Sequence, residues 1–285
     1  PLTILSCDNL SKNGQKLRGA VADYLAASLA PSDAIHAATF PDTMVDRITP
    51  ATTGDIAARI ADAAGRPVAA PVLTEAFTEW VIEDQAAGPL PDWARAGAQI
   101  VPDVAPYERR KLLLLNGAHS ALAYGGLLRG HGYVHEAIVD PDLLMHVRTL
   151  WSEAAPLLPE FGSDELESYT SALLERFSVE GMAHRLAQIA MDGSAKLPQR
   201  ILPILEHHGF ESPAAAQVLA DWWTLLEKRE AVGEPLDDPA EAELRPAIGC
   251  DEADEGRFLA ALKILGVSRR DLPEGWATAS LSARP

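Results

Sequence analysis

The sequence predicts an α/β segment followed by a mostly helical one. Residues 2–6 and 35–40 are short, apolar, β-prone runs separated by a helical pattern, which is the strand–helix–strand order of a parallel sheet. Beyond about Pro106 strand signals fade, and apolar residues recur at helical spacing. With 47% apolar residues in 285, the chain can bury a sizeable core.

The elements follow in order. Leu2 to Ser6 reads as a buried strand, and Cys7-Asp8-Asn9-Leu10-Ser11 as the polar turn after it. Leu17, Val21, Tyr24, Leu25 and Leu29 mark a helix from Asn13 to about Leu29, broken at Pro31-Ser32-Asp33. Ile35 to Phe40 makes a second strand, and Pro41 to Thr53 a polar stretch. Ligands gather at the carboxyl ends of strands in such sheets, which singles out Asn9 and Asp46. A short helix runs from about Asp55, its N-cap, to Ala64 and closes at Gly65. Val72-Leu73-Thr74 and Phe77 to Ile82 read as strands, with Gly88-Pro89-Leu90-Pro91 as a surface loop.

Helices then dominate: Tyr107–Leu128, Pro141–Trp151, Asp164–Phe177 and Gly181–Met191. Ser212-Pro213 places an N-cap before a proline at the first helical position, opening a helix through Trp222, Trp223 and Leu226. Glu230 to Ala247, acidic and rich in proline and glycine, reads as a surface linker, with Asp237-Asp238 solvated. A last helix from about Asp251 to Leu265 stops at Gly266.

The net charge of −17, from 24 basic and 41 acidic side chains, repels phosphate backbones and anionic lipid. Nucleic acid and membrane surfaces are therefore excluded as expected partners, in favour of a small molecule. Cys7 and Cys250 cannot build a disulfide framework or a multi-cysteine zinc site, so the expected setting is cytoplasmic. No apolar run approaches the roughly 18 residues of a membrane span. The chain begins at Pro1, already inside a strand-like run, which leads to the expectation of a larger protein truncated here. Oligomeric state is left open.

The segment Lys111-Leu-Leu-Leu-Leu-Asn116-Gly-Ala-His119 carries chemistry. At about 100° per residue, Asn116 lies roughly 140° round from Lys111 and His119 about 80°, so all three can face one side. An amine, an amide and an imidazole in one pocket suit reversible alcohol oxidation. A lysine desolvated among leucines can act as a base near neutrality. An amide N–H can hold the developing alkoxide, and His119 can fix a second hydroxyl. Elsewhere, His131 and His135 have metal-ligand spacing beside Glu136, but Gly130 and Gly132 argue against a rigid site and no third ligand is evident, so no metal is expected. His207-His208 suits a helix C-terminus, and Trp222-Trp223 suits the core.

Four runs occur in order: Ser6-Cys7-Asp8-Asn9-Leu10, Phe40-Pro41-Asp42-Thr43-Met44-Val45-Asp46-Arg47-Ile48-Thr49-Pro50, the Lys111–His119 segment, and Asp192-Gly193-Ser194-Ala195-Lys196. Together they resemble the polyol-specific long-chain dehydrogenase/reductase family, which includes mannitol dehydrogenase and fructuronate reductase (mannonate oxidoreductase). The resemblance covers most of the chain to about residue 205.

It implies the C-terminal part of a Rossmann-type cofactor domain over residues 1–104 and a helical substrate domain over 105–285. It implies NAD or NADP as cofactor, with no metal. Lys111 becomes the general acid/base, and Asn9 and Asn116 jointly hold the reacting oxygen. His119 orients the substrate, Asp46 binds it beside the nicotinamide with Val45 packing nearby, Glu108 exchanges the proton with solvent, and Lys196 contacts the substrate. Mannitol-oxidising members carry an arginine where this chain has Gln188. The wording from Ile189 to Arg200 is closer to the uronate- and aldonate-reducing branch. A sugar acid needs cations for its carboxylate, for which Lys196, Arg200 and Arg185 are candidates. The family's glycine-rich phosphate loop is expected upstream of the first motif. That absence supports an alternative reading, a catalytically silent helical module that binds or assembles. A helical zinc hydrolase is the third.

Overall fold

A computed structural model describes residues 2–28 and 32–282. The chain forms two compact units, Pro1–Lys111 and Leu112–Pro285.

In the first unit, β1 (Leu2–Thr3) pairs in parallel with β2 (Ala38–Thr39) on either side of α1 (Asn13–Ala27). The strand–helix–strand order thus holds, although the strands are shorter than their apolar runs. Residues 32–37 form a 3₁₀ turn instead of the first half of β2, since this alanine-containing stretch has only Ile35 as a β-branched residue. The anticipated helix end at Leu29 and break at Pro31 lie outside the described residues. α1 buries only Asn13 and Gly14, and Tyr24 is 72% exposed.

The second sheet has the order β3–β4–β5, with β3 (Thr43–Asp46) antiparallel to β4 (Glu79–Glu83) and β4 parallel to β5 (Gln99–Val101). The stretch 41–53 is therefore not all loop. Thr43-Met44-Val45 is a short β-prone core flanked by polar residues that hide it from a periodicity count. Met44, Val81 and Val104 form its buried cluster, with Val101 and Tyr107 packed against them. Val72–Thr74 does not form a strand, and Val72 is 65% exposed. There, Leu73 N–H donates to Thr52 Oγ1 (3.3 Å), and Glu75 N–H donates to the Ile48 carbonyl (3.2 Å). One side-chain acceptor and one backbone carbonyl take these N–H groups in place of a repeating ladder. Helix α2 (Gly54–Ala64) closes at Gly65 with φ +63°, as its sequence indicates, but its N-cap is Thr53 rather than Asp55.

The helix entering the second unit runs as α3 (Ala105–Arg110), a π turn (Lys111–Asn116) and α4 (Gly117–Leu128). Then come α5 (Val134–Ala137), α6 (Pro141–Ala154), α7 (Ser163–Phe177), α8 (Leu186–Ala190), α9 (Gly193–Arg200), α10 (Leu202–His207), α11 (Pro213–Val232), α12 (Glu241–Gly249), α13 (Asp254–Ile264) and α14 (Trp276–Ser282). α4 is buried from Gly117 to Gly126, with α6, α8 and α11 packed on it. Gly126 permits the approach of α8: a Cβ there would come within 2.6 Å of Leu186 Cδ1. Among the described residues, no helix is long and apolar enough to cross a membrane.

Five expectations are corrected here. Residues 181–191 do not make one helix, because Ala183 sits in the left-handed region (φ 44°) between a 3₁₀ turn and α8. Residues 230–247 are not a linker: α11 reaches Val232, α12 starts at Glu241, and Leu236 and Leu244 are buried. Asp238 is not merely solvated, since it accepts from Ser194 N–H (2.8 Å) and from the Ser194 hydroxyl at the start of α9. Ser212 precedes α11 without capping it by its own side chain. The Glu153 carboxylate does so instead, accepting from Ala214 N–H (3.0 Å) and Ala215 N–H (3.1 Å) and from the Ser212 hydroxyl. The last long helix starts at Asp254 rather than Asp251, and α14 follows it without a clear periodic signal.

Candidate active site

In the first unit the candidate residues meet at Lys111, which is 8% exposed. Its Nζ donates to Asn9 Oδ1 (2.7 Å) and to the Val45 carbonyl oxygen. The acceptors reach it from two segments, the loop after β1 and strand β3. Asp46, the last residue of β3, is 2% exposed. Glu108, one turn before Lys111, accepts from Ser11 Oγ (2.9 Å) and Lys12 N–H (3.2 Å). Burial raises its carboxyl above the usual carboxylate range, with Asp42 and Glu83 adding to the rise against the two hydrogen bonds.

Several residues that sequence reasoning passed over build this arrangement. Asn13, 2% exposed, donates from Nδ2 to the carbonyls of Ser6 (3.4 Å), Asp8 (3.1 Å) and Thr43 (2.9 Å), and its Oδ1 accepts from Thr43 N–H (2.9 Å). It sews the Asn9 loop to the start of β3. Gly14 lies so close to the Phe40 and Pro41 carbonyls that a Cβ would come within 2.6 Å of the Pro41 carbonyl carbon. Arg110 grips both oxygens of Glu79 on β4 (2.7 and 2.9 Å) and lies over the Tyr107 ring. That pair fixes the helix one residue before Lys111. The sequence marks Asn13 only as the start of a helix, which is where α1 opens.

The helix does not keep a regular α pitch through the motif. Lys111–Asn116 is a π turn, whose hydrogen bonds close five residues apart rather than four. Positions 111 and 116 are five apart, so the wider turn reduces the angular offset an α-helix would impose. The Trp151 indole N–H donates to the Leu114 carbonyl (2.8 Å), an external bond on the widened turn.

Within the second unit, Asn116 and His119 are 7% and 6% exposed. The Asn116 carbonyl accepts from Ser120 Oγ (3.2 Å), which in turn accepts from Arg200 Nη1 (3.2 Å). Arg200 makes no ion pair among the described residues, and burial lowers its pKa. The His119 ring tilts against Phe177 (centroids 4.8 Å apart) and meets His184 edge to face (5.2 Å, 86°). Lys196 donates to the carbonyls of Met191 (2.6 Å) and Ile189 (3.3 Å) and pairs with Asp192 (3.5 Å); burial lowers its pKa. Gly193 is required beside it, because a Cβ would collide with the Trp222 indole nitrogen and lie 2.9 Å from the Tyr124 hydroxyl. Arg185 and Gln188 are exposed.

Three other histidines have local partners. His131 Nε2 pairs with Asp140 (3.2 Å), and Glu136 accepts from the Gly132 and Tyr133 N–H groups (2.7 and 3.0 Å). His135 stacks on Tyr133, and His208 bonds the Glu153 carbonyl (2.7 Å). Among the described residues, no cluster of three or more His, Cys, Asp or Glu could hold a metal ion.

A parallel strand pair that delivers a polar loop toward a buried lysine, joined to a helical unit with its own polar seam, defines a Rossmann-type domain with a helical C-terminal domain. Comparison with known families agrees. Residues 1–95 match the mannitol dehydrogenase Rossmann domain and residues 103–276 the mannitol dehydrogenase C-terminal domain. The chain belongs to the mannitol dehydrogenase family.

It is 38% identical over 281 residues to D-mannonate oxidoreductase of Escherichia coli, covering 95% of this chain and 57% of the relative. It is 36% identical over 260 residues to mannitol dehydrogenase DSF1 of Saccharomyces cerevisiae, covering 87% and 51%. Among solved structures it resembles a D-sorbitol dehydrogenase in substrate-free form (TM-score 0.82, 30% identity), covering 98% of this chain and 59% of that one. It also resembles Pseudomonas fluorescens mannitol 2-dehydrogenase in ternary complex with NAD and D-mannitol (TM-score 0.75, 33% identity; 98% and 61%). The chain thus spans between half and three fifths of the length of these relatives.

Proposed function

We propose that this chain carries the proton-transfer and substrate-binding part of an NAD(P)-dependent oxidoreductase. The reaction interconverts a hydroxyl of a sugar acid or polyol with the ketone. The observation that supports it best is Lys111, buried and held between Asn9 Oδ1 and the Val45 carbonyl. The donor set fits the nicotinamide end of a dinucleotide. Asn9 follows β1, at the carboxyl end of a parallel strand pair where such cofactors bind, and Val45 and Asp46 close β3. The turn after β1 carries no glycine, so it presents side chains rather than a phosphate cradle. When bound, the nicotinamide supplies the hydride acceptor.

Lys111 takes the proton from the substrate hydroxyl as the carbonyl forms and returns it in the reverse direction. The amides of Asn9 and Asn116 hold the reacting oxygen. His119, its ring braced by Phe177, orients the chain of the substrate. Glu108, with its raised pKa, passes the proton between Lys111 and solvent. Asp46 and Lys196 complete the substrate contacts. Arg200 favours the fructuronate/mannonate type over mannitol/fructose. It is a cation that burial destabilises and that no carboxylate pairs among the described residues, so a substrate carboxylate is its natural partner.

The test is turnover of D-mannonate, D-fructuronate, D-mannitol and D-fructose by the native protein with NAD(H) and NADP(H). Lys111→Ala is expected to abolish the chemical step while the protein stays folded. Near-wild-type turnover of that variant at every pH overturns the reading. Asn116→Ala is expected to lower kcat by about 10²-fold, the scale of a lost oxyanion donor. Arg200→Ala is expected to weaken the acids selectively over the polyols.

A further inference from the structure

We infer that His184 is a specificity-determining residue, taking the substrate hydroxyl adjacent to the one that His119 holds. The inference rests on the function proposed above and adds a residue to it. Three features converge on this side chain, all within the second unit.

The first is its ring contact. His184 meets the His119 ring edge to face at 5.2 Å, while Phe177, almost fully buried, lies against His119 at 4.8 Å. Two imidazoles therefore sit side by side, and the phenyl ring restrains the first.

The second is its backbone. Ala183 adopts φ 44° and ψ 40°, a left-handed conformation that is strained for a non-glycine residue. The strain is held in place by the bonds that follow. Val134 N–H donates to the His184 carbonyl (3.0 Å), and Leu186 N–H donates to the Gly132 carbonyl (3.0 Å). Strain fixed in this way sets the direction in which residue 184 leaves the chain.

The third is an unmatched nitrogen. His184 Nδ1 is buried and has no hydrogen-bond partner among the described residues. Buried polar groups are nearly always paired, and an unpaired one is destabilising. Burial also lowers its pKa, which keeps the ring neutral at neutral pH. A neutral imidazole has one donor and one acceptor, the complement of a hydroxyl, whereas a carboxylate only accepts. A half-turn of the ring exchanges Nδ1 with Cδ2 without changing its outline, so that nitrogen can be presented without repacking. An imidazole edge beside His119 fits a hydroxyl next to the one His119 holds, and the ligand class is a vicinal diol.

The test compares wild-type protein with His184→Phe, which keeps the ring edge and loses both nitrogens, and His184→Asn, whose amide stands where Nδ1 does. D-fructuronate and its monodeoxy analogues are the probes, read as KM and kcat separately. His184→Phe is expected to raise KM for D-fructuronate about tenfold or more, the scale of one unpaired neutral hydrogen bond, with kcat changed less than about threefold. His184→Asn is expected to recover most of that loss. One deoxy analogue is expected to be penalised in the wild type and not penalised further in His184→Phe, because both changes delete the same bond.

Unchanged KM in His184→Phe with an active wild type overturns the inference and leaves the proposed function standing. Equal losses in Phe and Asn, with additive deoxy penalties, also overturn it and assign His184 to packing. Addition of D-mannonate is expected to shift the His184 imidazole ¹⁵N resonance. If the wild type neither turns over any probe nor shows that shift, the proposed function fails and takes this inference with it.

Discussion

Asn13 shows how one buried amide sets the geometry around a buried lysine, Lys111, that it does not touch. It bonds Ser6, Asp8 and Thr43, while Asn9 and Val45, one and two residues further along those two segments, hold Lys111. Asn13→Ala leaves several of these backbone groups without partners, which costs about 1–3 kcal/mol. Urea denaturation is expected to show a lower midpoint at unchanged slope, and activity is expected to fall with kcat rather than KM. A KM-only change would show that the Asn9 loop does not depend on this amide. Lys111, Asn116 and His119, all three buried, were singled out by helix periodicity, which relates residues close in sequence. Asn13, and the Arg110–Glu79 pair that braces Lys111, were not, because their meaning lies in partners about thirty residues away. The π turn was equally hidden: four leucines read as an ordinary helix, and the Trp151 bond to Leu114 comes from another element.

At the scale of elements, the distant carboxylates on helix starts matter most. Asp238 binds the start of α9 and Glu153 the start of α11, each from far along the chain. Asp238→Ala is expected to cost about 0.5–2 kcal/mol, the range of a lost N-cap, and to loosen the Asp192–Lys196 turn. A thermal midpoint equal to wild type would count against that role. Inside α11, Asp221 is 3% exposed and accepts from Gln217 Nε2 (2.7 Å); burial raises its pKa. Its folded pKa therefore exceeds the unfolded value of about 3.9. The stability this shift contributes is present below the unfolded pKa and is lost as pH rises through the folded one. Asp221→Asn is expected to raise the midpoint at pH 7 and to lose that advantage as the pH falls toward 4, measured by melting across the series. The long helices α6 and α11 were legible from apolar spacing and a proline at the start, and α7 from apolar spacing. The linker misread at 230–247 was not, since its burial depends on a few residues such as Leu236 and Leu244 among many acids.

At the scale of the whole chain, apolar burial is unevenly divided. Most of the buried apolar side chains belong to Leu112–Pro285, whereas the named cluster of the first unit is Met44, Val81 and Val104 with two partly buried neighbours. α1 buries no apolar side chain and α2 buries no residue at all. Regions with few buried apolar contacts open at low free energy, and core helices open only near the global limit. Hydrogen exchange on the native protein is therefore expected to find the α1 and α2 amides least protected and those of α4, α6 and α11 most protected. The amides of β3 and β4 should fall between, because they frame Lys111 yet rest on the smaller cluster. Addition of D-mannonate with NAD(H) is expected to raise protection at residues 6–13 and 43–46 more than in α2. That follows from the proposed function, because the Asn9 loop and β3 hold Lys111 and α2 does not. Uniform protection of α1, α2 and α4 without ligand would mean that the apolar faces of α1 and α2 are covered in the native protein, so that its stability is not divided as the burial pattern indicates.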